Sequence, residues 1–240
     1  MPAPAHEPLV VEGLTFRFAG FEIESVSFRV EPGKVVALAG HNGAGKTTTL
    51  RLIMGMIRKD EGIVRIGSMD HVRDERAFKE RIGFVPEEGF FYKGMTVAEL
   101  LAFVADFYPN WDAALCARLA ATLHLPMEKR LGELSKGTRT KVALLAGVSH
   151  HPHVLLLDEP TSGLDPRSRA EVLRLLKNMA RAEGRGVLFS THNLHEAEQI
   201  ADRVVVMRNG RVIVNESLVE LRGAATGAWT LEDFCLEVAS

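Results

Sequence analysis

The chain has 240 residues, with 29 basic and 31 acidic side chains, a formal net charge of −2 and 46% hydrophobic residues. This composition is that of an ordinary folded protein, which excludes disordered, collagen-like and low-complexity chains, and the lack of a basic excess argues against nucleic acid as a partner. Two cysteines, Cys116 and Cys235, are too few for a disulfide framework and fit a reducing compartment. No apolar run approaches the roughly 18 residues of a membrane helix. Residues 1–13 lack the basic start and apolar core of a signal peptide. The expected location is cytoplasmic, with any membrane role borrowed from a partner.

In chain order, the opening reads as antiparallel strands. Val10, Glu12, Leu14, Phe16 and Phe18 alternate with their neighbours, and Val26, Phe28 and Val30 alternate again after a turn at Ala19-Gly20. Residues 35–39 are apolar throughout, as are 154–157, 187–189 and 204–207, which suits strands covered on both faces of a parallel sheet. Leu50, Ile53, Met54 and Ile57 have helical spacing and predict one packed face. The mixed charges of residues 70–81 read as a solvated helical face.

Residues 96–150 give helical signals and no strand. Thr96 and Glu99 form a capping box, and Leu100, Phe103, Val104 and Phe107 predict a buried face. Pro109 ends that helix, and residues 111–125 supply another. His150, His151 and His153 read as a solvated connection. Val204–Met207-type apolar residues and Val212 to Val214 flank Asn209-Gly210, a strong hairpin signal. Strands alternating with helices give an α/β fold with a parallel sheet. The expected organisation is one domain, 1–240. Residues 1–90 and 151–215 form the β subdomain and core, 91–150 a helical subdomain, and 216–240 a C-terminal extension. In that extension Leu218 to Leu221 predict a helix, and Leu231, Phe234, Cys235 and Val238 a short apolar face.

Gly40-His41-Asn42-Gly43-Ala44-Gly45-Lys46-Thr47 matches G-x-x-x-x-G-K-[ST], after a buried strand and before an amphipathic helix. The glycines let backbone N–H groups turn towards phosphate oxygens at a helix N-terminus, whose dipole favours anions. Lys46 is suited to the β- and γ-phosphates and the Thr47 hydroxyl to Mg²⁺, with Thr48 next in the loop. The apolar run 154–157 empties into Asp158 and Glu159. There one carboxylate can hold a metal's water shell and the other can polarise an attacking water.

Between these motifs stands Leu134-Ser135-Lys136-Gly137-Thr138, and after them Ser162-Gly163-Leu164-Asp165 and His192. The ordered set resembles the nucleotide-binding domain of ABC transporters, over nearly the whole chain. The resemblance implies a P-loop NTPase core of RecA type with an N-terminal antiparallel β subdomain and an inserted helical subdomain. It also implies ATP and Mg²⁺ as ligands, and a head-to-tail dimer in which Ser135, Lys136, Gly137 and Thr138 face the partner's nucleotide. Ser162, Gly163, Leu164 and Asp165 then correspond to the loop crossing the dimer interface. Glu159 and His192 correspond to catalytic groups, and Phe18 to an adenine-stacking aromatic, although Phe16 shares its strand parity. Lys136 and Thr138 replace the third and fifth residues of the family's Leu-Ser-Gly-Gly-Gln.

Glu87 stands where the family carries a metal-coordinating Gln, and it still offers an oxygen while adding negative charge. Phe90, Phe91 and Tyr92 follow, where the family forms a groove for a membrane subunit. The resemblance therefore implies transmembrane permease subunits on separate chains, a second nucleotide-binding domain as partner, and a place on the inner face of the membrane. Glu87, together with the start Thr138-Arg139-Thr140-Lys141 of the signature helix, resembles the bacterial exporter branch. The alternative, a soluble ABC-type ATPase acting on nucleic acid or ribosomes, would need a long coiled coil or a second nucleotide domain. The interval from Lys46 to Ser135 holds no heptad array.

Overall fold

β1 (Leu9–Phe18) and β2 (Phe21–Val30) pair antiparallel around the turn at Ala19-Gly20. β2 alternates from Val26 onward, as the pattern predicts. β1 does not: Leu9, Val10 and Val11 are all buried, and Phe18 is exposed. β1 is an inner strand of a four-stranded sheet ordered β2-β1-β4-β5, where β4 is Glu61–Ile66 and β5 is Met69–Asp70. Register shifts between Val11 and Phe16 put the second half of the strand out of phase with the first. The computed structural model describes residues 6–87, 92–224, 230–232 and 234. Phe90, Phe91, Cys235 and Val238 lie outside the described residues.

The second sheet has six strands. Its members are β3 (Val35–Ala39), β6 (Ile82–Val85), β7 (Val154–Leu157), β8 (Gly186–Thr191), β9 (Arg203–Arg208) and β10 (Arg211–Ser217). Their order is β10-β9-β3-β8-β7-β6, parallel except for the β9–β10 hairpin. Asn209 and Gly210 both take positive φ in that hairpin's two-residue turn. The all-apolar strands feed both faces. Val35, Ala37 and Ala39 join one core with Leu155, Leu157, Val187 and Phe189, while Val36 and Leu38 join a second with Leu156 and Leu188.

The second core is closed by the four-stranded sheet and by α1 (Lys46–Ile53). The spacing predicted that α1 would run through Ile57; it stops a turn earlier. Gly55, at φ +66°, lets its own N–H reach the Leu52 carbonyl and the Met56 N–H the Arg51 carbonyl, which is the Schellman ending. The expected solvated helical face at 70–81 is also corrected. Its first residue belongs to β5, the helix α2 covers only Glu75–Lys79, and His71 and Phe78 are buried.

A third core is wholly helical. α3 (Val97–Ala105), α4 (Ala113–Thr122) and α5 (Lys136–Val148) pack around Leu100, Leu101, Cys116, Leu131 and Leu145. The Thr96–Glu99 capping box forms as predicted. The face predicted for α3 is wrong in half its members, because Phe103 and Phe107 are exposed and lie edge-to-face 5.1 Å apart. α5 joins this core to the sheet: Val142 and Leu145 point into the helices, Ala143, Leu144 and Val148 into the first β core.

His150, expected in solvent, has no exposed surface. Its ring stacks on Tyr108 at 3.8 Å, Nε2 lies 3.1 Å from the Ile82 carbonyl oxygen, and burial lowers its pKa to about 4. The first β core is completed by α6 (Pro166–Arg181), α7 (Leu194–Ile200) and α8 (Leu218–Ala224), with Leu231 and Phe234 packed against it.

Candidate functional site

Four parallel strands end at one edge, and each delivers a candidate residue there: β3 the glycine-rich loop, β6 Glu87, β7 Asp158 and Glu159, β8 His192. The carboxyl edge of a parallel sheet is where α/β folds hold ligands. A cavity of about 290 Å³ lies there, lined by Asn42, Gly43, Gly45, Lys46, Thr47 and Thr48 with Glu87, Glu159, Ser162 and His192. Of the loop's other members, His41 is exposed, Ala44 is buried, and Gly40 carries the carbonyl nearest Lys46.

Lys46 is almost fully buried. Its ammonium donates to the Gly40 carbonyl at 2.8 Å and the His41 carbonyl at 3.2 Å, and sits 3.2 Å from Glu159 Oε1. That last contact is an ion pair without an aligned hydrogen bond, so Oε1 is a buried acceptor with no donor among the described residues. Glu159 Oε2 lies 2.9 Å from His192 Nδ1. Glu159 takes φ +44°, a conformation costing roughly 1–3 kcal/mol in a non-glycine residue, and the structure around it has to hold it there.

Ser190 supplies part of that hold. Its hydroxyl accepts from the Glu159 N–H at 2.8 Å and donates to Asp158 Oδ1 at 2.7 Å. The Thr47 hydroxyl donates to the same Asp158 oxygen at 3.0 Å. Ser190 was not singled out by the sequence. The one available signal was a polar residue closing an otherwise apolar strand. Phe21 was missed too. It lines the cavity, whereas Phe18 is 70% exposed, stacks on Phe16 with centroids 6.4 Å apart, and is not part of the cavity wall.

The signature residues 135–138 do not line this cavity. Ser135 caps α5, its hydroxyl accepting from the Thr138 N–H at 3.2 Å. Gly137 is buried against Ser168, and the Lys136 side chain lies over Gly163. In the 162–165 loop, Leu164 is buried and Asp165 caps α6 through the N–H groups of Arg167 and Ser168, both at 3.0 Å.

A family model described as ABC transporter matches residues 23–162. A second, described as an AAA domain, putative AbiEii toxin, matches residues 129–198. The uncharacterised ABC transporter ATP-binding protein YxlF of Bacillus subtilis is 35% identical, over 89% of this chain and 72% of its own. The chain belongs to the ABC transporter ATP-binding family. The Nod factor export ATP-binding protein I of Paraburkholderia xenovorans is 33% identical over 88% of this chain and 71% of its own. A sulfate/thiosulfate import ATP-binding protein of Agrobacterium fabrum is 38% identical over 84% of this chain and 61% of its own.

Among solved structures, an ATP-binding subunit of an ABC transporter superposes with a TM-score of 0.86 at 30% identity, covering 97% of this chain and 99% of the other. The fold is therefore the α/β P-loop architecture of ABC ATPase domains, in a family whose domains bind and hydrolyse ATP. The site fits that ligand: a cavity walled by glycines and closed by a buried cation has the size and charge for phosphates.

Proposed function

We propose that the chain is the ATPase subunit of a transporter, and that it works as a head-to-tail dimer on permease subunits carried by separate chains. The observation that carries this reading is the incomplete cavity. Lys46, Thr47, Glu159 and His192 line it and Asp158 is hydrogen-bonded to Thr47, while residues 135–138 sit apart on α5. A second copy would supply its own residues 135–138 to complete each site, giving two composite sites about a two-fold axis.

Within one site the chain's groups divide the work. ATP phosphates would occupy the glycine-rich loop and draw Lys46 away from Glu159, since that ammonium cannot serve both anions fully. Glu159 Oε1, freed of its cation, accepts a proton from the attacking water, and His192 holds Oε2 in place. Mg²⁺, when bound, spreads the charge of the β- and γ-phosphates. Thr47 and Asp158 are the residues suited to hold it, and Glu87 lines the same cavity. Phe18 offers an exposed ring face for adenine.

For the membrane partner, Phe103 and Phe107 form an exposed edge-to-face pair on the helical layer, and Tyr92, ahead of α3, is exposed as well. Clustered exposed aromatics suit an interface. No helix among the described residues is long and apolar enough to cross a membrane; in the proposed assembly the permease subunits span it and hold the chain on the inner face. Export is the proposed direction, on Glu87 and the 138–141 sequence, and one similar protein is named for Nod factor export. Residues 91–150 are read as the helical subdomain that carries the signature residues.

The test compares the purified chain with Glu159→Gln by size-exclusion chromatography, with and without Mg-ATP. The expected result is an ATP-dependent dimer that the variant traps, because it binds nucleotide and fails to hydrolyse it. A variant that binds ATP and stays monomeric would refute the self-paired dimer.

A further inference from the structure

Glu196 is a fully engaged carboxylate that the mechanism above does not use. It lies in the first turn of α7, is 4% exposed, and reaches away from its own helix. Oε2 accepts from the Thr161 hydroxyl at 2.6 Å and from the Thr191 hydroxyl at 3.1 Å. Oε1 accepts from Asn193 Nδ2 at 3.4 Å and pairs with Arg169 Nε at 3.3 Å. Thr161 and Thr191 are themselves buried; Glu196 is the acceptor of the Thr161 hydroxyl, while the Thr191 hydroxyl is also 3.5 Å from the Asn193 carbonyl oxygen.

A capping box does not account for the arrangement. In the capping box of α3, Glu99 accepts the N–H of Thr96. At α7 the equivalent N–H, that of Asn193, is already taken by Thr191 Oγ1 at 3.0 Å. Glu196 thus does not close a capping box and touches the cap only through the Asn193 side chain, and the cost of burying its carboxylate is offset by its hydrogen bonds and its Arg169 pair, most of which lie outside α7.

The partners flank both working loops. Thr191 and Asn193 stand on either side of His192. Thr161 leads from Glu159 into the 162–165 loop, where the Ser162 N–H donates to the Glu159 carbonyl at 3.1 Å and the Leu164 N–H to the Thr161 carbonyl at 3.2 Å. Arg169 extends the chain of contacts, since its guanidinium also reaches the Leu164 carbonyl at 3.4 Å. One carboxylate therefore fixes the base of the His192 loop to the base of the 162–165 loop.

We propose that Glu196 is a positioning residue: it couples the His192 loop to the 162–165 loop, so that the Glu159–His192 pair and the interface loop move as one unit. This rests on the dimer reading in which the 162–165 loop faces the second copy. Hydrolytic alignment in one site would then depend on the state of the interface, through Thr161 and Glu196.

The experiment uses Glu196→Gln and Thr161→Val in the full chain. Glu196→Gln keeps the volume but removes the charge that Arg169 pairs with; Thr161→Val removes one hydroxyl and is the milder variant should the first fold poorly. For each, kcat is expected to fall about tenfold or more while KM for ATP stays within about twofold, since misplacement of catalytic groups acts on the chemical step. The double variant should be no worse than the more impaired single one, because both substitutions loosen the one connection between the two loops. In a Glu159→Gln background, Glu196→Gln should weaken the Mg-ATP dimer about fivefold or more in size-exclusion titrations.

An unchanged kcat, a rise in KM equal to the fall in kcat/KM, or multiplying effects in the double variant would overturn the proposal. If Glu159→Gln alone forms no dimer, the dimer reading fails; the kcat-against-KM split in the unmodified background then still decides the link to His192.

Discussion

Gly45 shows how tightly single residues in the phosphate loop are specified. It sits at φ +108°, and a Cβ built there would stand 2.6 Å from Cδ1 of the fully buried Ile23. Gly45→Ala is expected to cost at least about 1 kcal/mol from backbone strain alone and to lower the melting temperature by a few degrees, read by calorimetry. At this scale much of the site was legible. The spacing of Gly40, Gly45, Lys46 and Thr47 and the paired Asp158-Glu159 carry their chemistry in residue type and interval. Ser190, Phe21 and Glu196 were not legible. Their roles come from neighbours more than 20 positions away or across a strand pair, as with Ser190 on Asp158 and Glu196 on Thr161.

Elements were predicted best where one force decided them. The Asn209-Gly210 hairpin, the Thr96–Glu99 cap and the apolar strands are set by local geometry or full burial. α1 ends at Gly55 because a left-handed glycine offers its last carbonyls partners at once, against the hydrophobic spacing that favours Ile57. The junction of α5 with β7 yields a pH prediction. Burial, aided by the nearby positive charge of Arg185, lowers the His150 pKa from 6.5 to about 4. Well above pH 6.5 both folded and unfolded states are neutral at this residue. As pH falls from 6.5 towards 4 the unfolded chain takes a proton that the folded chain refuses, so stability declines through that window. Between pH 7 and 5 this residue should remove roughly 2 kcal/mol of stability. His150→Phe keeps an aromatic ring beside Tyr108 and should show that much less loss in paired urea titrations at the two pH values.

For the whole molecule, ligand linkage gives the plainest expectation. Mg-ATP at about 100 times its Kd should add about 2.7 kcal/mol and raise the melting temperature by roughly 5–10 °C, in a variant that cannot hydrolyse it. The Glu159→Gln protein is the one to melt, and adding Lys46→Ala should abolish the shift. The sequence by itself determined the α/β class, the phosphate loop and the family, because runs of Val and Leu, a glycine spacing and five ordered motifs are properties of the chain read in one dimension. Only the tertiary structure decided that Lys46 is paired with Glu159, that Phe103 and Phe107 face outward while His150 faces inward, and that Glu196 joins two loops. Those outcomes depend on which elements pack together, and residues far apart in sequence meet only when the strands of the six-stranded sheet lie side by side and α5 bridges the helical core to it.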